Sequence, residues 1–135
     1  MFAVLIAAGL VWSVGLGISR TRHNLEVNQS EYAARLVAEM CVEHMRANRL
    51  AWPRNWEDLQ DDFQPCLARS GQSWTFADLK KRVGIDWKVE LKQLSSDSHA
   101  KSVIWIASDP GRGFYGTSPN EIVSSYLAST NAVDE

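Results

Sequence analysis

The chain has 135 residues and a mass of 15.1 kDa, room for one domain and at most one appended segment. With 45% apolar and 22% charged residues it has the composition of a folded protein, and its net charge of −2 gives no electrostatic footprint for nucleic acid. Two cysteines are too few for a disulfide-framed secreted scaffold.

Charge is unevenly placed, because none of the 14 basic and 16 acidic side chains falls within residues 1–19. As a helix, the run MFAVLIAAGLVWSVGLGIS is roughly 28 Å long, close to the ~30 Å hydrocarbon core of a bilayer. In lipid the backbone must satisfy its own hydrogen bonds, so a helix is the form expected of a single span. Arg20, Arg22 and His23 follow at once and would stop the span at the head groups. A cleaved signal peptide is the alternative, with Gly15 and Gly17 as a small-x-small pair. Against it, no Lys or Arg precedes the run, which exceeds the usual apolar core of about 7–15 residues. Gly9, Ser13 and Gly17 recur at four-residue spacing, a face on which two membrane helices can approach closely. The expected partners are therefore membrane lipid and a second copy or another transmembrane helix, with no nucleic acid.

Residues 20–50 predict a juxtamembrane and stalk helix. Asn28 and Glu31 have the spacing of a capping box, and Tyr32, Ala33, Leu36, Val37, Met40, Cys41 and Met45 form one apolar stripe. Glu31, Arg35 and Glu39 fall on the polar side. No Gly or Pro lies between Ser19 and Leu50, so the membrane helix is expected to continue into the stalk, which Trp52-Pro53 ends.

Residues 51–129 predict a small α+β domain, and residues 130–135 an acidic tail. Asn55 opens a short helix with Trp56, Leu59 and Phe63 inward, stopped by Pro65; a loop around Gly71 follows. Thr75 and Asp78 form a capping box for a helix ending at Gly84 as the C′ residue. Ile85, Trp87, Val89 and Leu91 alternate with Asp86, Lys88 and Glu90, the period-two pattern of a strand. Ser95 to Ser98 would turn the chain into a second strand over Lys101 to Ser108, broken by Asp109-Pro110-Gly111, with a short third strand near Phe114. Ser118, Pro119 and Glu121 start the final helix, Pro119–Leu127. The fold class expected is α+β, a transmembrane helix continuing into an amphipathic stalk packed on a small antiparallel sheet.

Chemistry-bearing residues are sparse. Cys41 and His44 lie three apart on one helical face and, with Cys66 and His99, supply the ligand types of a zinc site without the paired spacing that marks one. A buried cysteine beside a helix histidine accounts for the same residues, and a Cys41–Cys66 disulfide is the intermediate reading. Glu57, Asp58, Asp61 and Asp62 read as a solvated acidic face at a helix start rather than a calcium loop. Asp109 to Gly113 lacks the lysine and hydroxyl ending of a phosphate cradle. Six tryptophans suit a small domain short of core volume; Trp56, Trp74, Trp87 and Trp105 lining a ligand pocket is the rival use. No catalytic constellation is recognisable and no cofactor is implied.

The order of an apolar N-terminal helix, an amphipathic stalk and a small antiparallel sheet resembles the type IV pilins and type II secretion pseudopilins. Trp52-Pro53-Arg54-Asn55-Trp56-Glu57-Asp58-Leu59 is similar to the segment where the long helix of those proteins ends. The chain departs from that family in carrying no acidic residue before Glu26. Trp52 to Leu59 and Trp74-Thr75-Phe76-Ala77-Asp78-Leu79 also look like segments of bacterial membrane-anchored proteins of no assigned activity. The likeness implies a non-enzymatic membrane-anchored interaction or assembly protein with an outward-facing domain. The basic residues after the span imply a cytoplasmic one. The rivals are a membrane-tethered metal-binding or hydrolytic domain using Cys41 and His44, and a small-molecule sensor with a Trp-lined pocket.

Overall fold

A computed structural model describes residues 2–94 and 102–131, with side chains described from residue 21 onward within those ranges. The chain divides into two compact units, Met1–Ser30 and Glu31–Glu135. In order, the elements are α1 (Phe2–Ala47), a 3-10 turn (Glu57–Leu59), α2 (Gln60–Ser70), α3 (Phe76–Arg82), β1 (Val83–Ile85), α4 (Leu91–Leu94), β2 (Ile104–Ile106) and α5 (Pro119–Asn131). The class is α+β, one long helix and several short ones with a two-stranded antiparallel sheet.

Residues 2–20 have helical backbone. The span expected over 1–19, with Gly9, Ser13 and Gly17, lies outside the residues whose side chains are described. Among the residues whose side chains are described, no helix is long and apolar enough to cross a membrane. Asn28 does not cap a new helix, since α1 passes through it unbroken. An asparagine inside a helix costs only about 0.7 kcal/mol, and no Gly or Pro nearby offers an alternative.

In the second unit α1 supplies the centre of the core. Ala33, Leu36, Val37, Met40, Cys41 and Met45 are buried as the stripe requires, and Ala34, Ala38 and Val42 are buried beside them. The helix is thus covered over more than one face. Two positions reverse the expectation: Tyr32 is 54% exposed and Glu31 only 4%. Arg35 accounts for both, because its guanidinium lies 3.5 Å from Glu31 Oε2 and 5.8 Å from the centre of the Tyr32 ring.

The stalk stops at Ala47, before Pro53. Leu50 N–H donates to Met45 O at 2.8 Å, while Arg49 and Leu50 turn the chain with φ of 53° and 65°. Trp52 Nε1 then donates to Asp86 O at 2.9 Å and fixes the exit. Pro65 lies inside α2 rather than ending it. It is exposed, and so is Asp61, whose carbonyl it cannot bond, while Phe63 and Cys66 on either side are buried.

Thr75 and Asp78 form the expected capping box, with both reciprocal bonds present at 3.0 and 3.1 Å. Ser118 and Glu121 do the same at the start of α5, at 3.2 Å each. That helix runs past Leu127 to Asn131, taking in the first two residues of the expected tail; residues 132–135 lie outside the described residues.

The sheet is shorter than the alternation suggests. Its register pairs Val83 with Ile106, Gly84 with Trp105 and Ile85 with Ile104. Beyond Ile85, Asp86 Oδ1 accepts from Lys88 N–H at 3.0 Å, a side-chain turn that leads the chain away from the ladder. Trp87 and Val89 are therefore half-buried loop residues, and Leu91 opens α4. Gly84 is a strand residue, not a helix cap. The Trp105 indole lies across it so closely that a Cβ there would sit 2.1 Å from Nε1. The second strand spans only Ile104–Ile106 of the range 101–108, and no strand forms at Phe114, which is half-buried against the core. The turn expected over 95–98 lies outside the described residues.

Candidate functional site

Two places near α1 gather polar groups. The first is an open groove of about 600 Å³ whose walls include Tyr32, Arg35, Glu39, Arg46, Arg69 and Tyr126. Helical spacing puts Tyr32, Arg35, Glu39 and Arg46 along one side of α1; α2 contributes Arg69 and α5 Tyr126. Arg46 pairs with Glu43 at 2.9 Å and lies 5.3 Å from the Tyr126 ring centre, while Arg69 reaches Glu43 at 3.5 Å. At the other end Arg35 Nε donates to Thr117 O at 2.8 Å and its Nη2 to Tyr115 O, holding that loop on α1. Among the described residues Glu31 Oε1 is buried without a hydrogen-bond partner, and Arg35 pairs with that carboxylate through Oε2.

The groove's arginines are already engaged by glutamates and backbone carbonyls. Tyr32 and Tyr126 share the groove wall with these ion pairs. None of these wall positions was singled out as a site from the sequence. The signal was present in part, as a polar row beside the apolar stripe, but Arg69 and Tyr126 arrive from segments about 30 and 90 residues away, beyond the reach of helical spacing.

The second place is the seam between α1 and α2. His44 Nδ1 lies 3.0 Å from Asp58 O, to which it donates, and 3.9 Å from Asp62 Oδ2. Asp58 is held below the usual carboxylate range chiefly by the Arg54 backbone N–H, with the Arg54 side chain helping. Burial pushes Asp62 up, against the opposing pull of His44. The acidic group is therefore divided: Asp61 and Glu57 are exposed while Asp58 and Asp62 are built into the seam. Cys41 and Cys66 are both fully buried free thiols. Burial drives the Cys41 thiol far above its ordinary value, with Asp62 and Cys66 adding to the effect. Burial raises Cys66 too, partly opposed by Arg69, whose Nη2 is 3.3 Å from its sulfur.

The structure thus brings Cys41, His44 and Cys66 to one seam but turns His44 toward Asp58 and Asp62. Among the described residues no group of three His, Cys, Asp or Glu side chains is placed to hold a metal ion; His99 lies outside them. The tryptophans pack. Trp56 meets Phe76 and Trp87 edge-on at 5.9 and 5.5 Å, Trp74 lies against the core, and Trp105 covers Gly84. Neither the large groove nor a smaller one of about 240 Å³ beside Leu50 and Leu127 has a tryptophan in its wall. No protein-family model, curated protein or solved structure matches the chain.

Proposed function

We propose that the chain is a membrane-anchored, non-enzymatic interaction or assembly protein of pilin-like layout. Its first nineteen residues form the anchor and its α+β domain the working part. One observation carries the reading: helical backbone covers residues 2–20, a stretch without a charge before Arg20, and a helix is the form in which a lipid-embedded segment satisfies its own amides. The α+β domain supports it by offering a groove of paired charges and tyrosines.

Under this reading Gly9, Ser13 and Gly17 form the face on which two anchors meet. The test is a membrane-based self-association reporter carrying the full chain. Replacing Gly9 and Gly17 by leucine is expected to lower the signal several-fold while leaving insertion unchanged. An unchanged signal removes the pairing face, and failure of the wild-type chain to insert at all overturns the proposal.

A further inference from the structure

Two cross-helix pairs at the α1–α2 seam lie near the two cysteines. Asp62 pairs with His44 across it, and Arg69, two turns further along α2, pairs with Glu43. Cys66 lies on the same face of α2 between Asp62 and Arg69, at i+4 from one and i−3 from the other. Cys41 lies on α1 one turn before His44. Both belong to the same buried cluster, and each sulfur is shielded from solvent. His44 donates to Asp58 O, and among the described residues neither thiol belongs to a metal-ligand group.

We infer that Cys41 and Cys66 form a dithiol modification site that closes to an intramolecular disulfide when a small disulfide oxidant, such as oxidised glutathione, gains access to the seam. Arg69 borders the groove and contacts the Cys66 sulfur, and its charge offsets part of the rise that burial imposes on that thiol, leaving Cys66 the less perturbed of the two. Cys66 is accordingly the attacking group. Its thiolate attacks one sulfur of oxidised glutathione, breaking that S–S bond and expelling a glutathione thiolate. Cys41, passing its proton to the expelled glutathione thiolate, then attacks the mixed disulfide at the Cys66 sulfur and expels the second glutathione thiolate. Two S–H bonds are lost and one S–S bond forms. Two electrons pass to the glutathione disulfide, and the two protons end on the glutathione thiols. The cross-link ties the α1 core stretch to α2 and restricts the unfolded chain between them.

The test equilibrates the purified full chain with oxidised glutathione or with dithiothreitol, then alkylates it under denaturing conditions and measures intact mass and Tm. The oxidised chain is expected to lose the mass of two hydrogens, take up no alkylating agent and melt about 10 °C higher than the reduced chain. Cys41→Ala and Cys66→Ala should each show no such rise. Two alkylatable thiols after oxidation, stable glutathione adducts on the wild-type chain, or linkage between chains in place of the internal bond would each overturn the inference. No membrane enters this measurement, so its failure leaves the anchor reading standing and its success does not establish it.

Discussion

The two flanks of α1 in the α+β domain differ in kind although they share one helix. On its buried stripe the side chains are apolar or sulfur-bearing and excluded from water; along the groove they include arginines, glutamates and tyrosines still in contact with it. The contrast shows where stability resides. A buried side chain is held by everything packed around it, whereas an exposed ion pair gains little over its hydrated parts.

Truncation separates the flanks most widely. Met40 is fully buried, and Met40→Ala is expected to destabilise the domain by about 3 kcal/mol in urea unfolding. A loss below about 1 kcal/mol would mean that the core around α1 is loosely packed. Next comes Gly84→Ala, which drives a methyl group into the Trp105 indole and is expected to cost about 2 kcal/mol. Its diagnostic readout is a shift in tryptophan fluorescence, absent if Trp105 does not cover Gly84.

Smaller effects come from the surface carboxylates. Asp78 is held below the ordinary carboxylate range by the Thr75 backbone N–H first and the Thr75 side chain second. Its folded value lies below its unfolded one, near about 3.9, so its contribution is present above that unfolded value and lost as pH falls through the folded one. Asp78→Asn should therefore flatten the acid limb of a Tm-versus-pH profile. Asp62, raised by burial, has the opposite sign and favours the folded state more as it becomes protonated. The smallest effect belongs to the groove: Arg46→Ala, losing an exposed pair with Glu43, is expected to change stability by no more than about 0.5 kcal/mol. A loss comparable to that of Met40→Ala would erase the distinction between the flanks.

What could be read from the sequence was what acts over one turn. Thr75 with Asp78 and Ser118 with Glu121 are three residues apart, and both boxes close as their spacing requires. The apolar stripe from Ala33 to Met45 is equally local, and it lies in the core. Where two local rules competed, pattern alone chose badly. Asp86 sits in a strand-like alternation, yet its carboxylate bonds Lys88 N–H and its carbonyl receives Trp52, so the turn wins. Asn28 has the form of a cap inside an unbroken helix. Glu31 has the spacing of a surface residue yet is buried, paired with the Arg35 that also bonds the carbonyls of Tyr115 and Thr117. The groove and the Cys41–Cys66 seam were legible only as separate residue types, because both depend on segments brought together by the fold.

The central claim, that residues 1–19 hold the chain in a bilayer, is tested most directly by alkaline extraction of membranes from cells making the full chain with a C-terminal tag. The account predicts that the tagged protein stays in the membrane pellet after high-pH washing, at the mass of the complete chain, and moves to the supernatant once residues 1–19 are deleted. Recovery of the full-mass chain in the supernatant without detergent would contradict it.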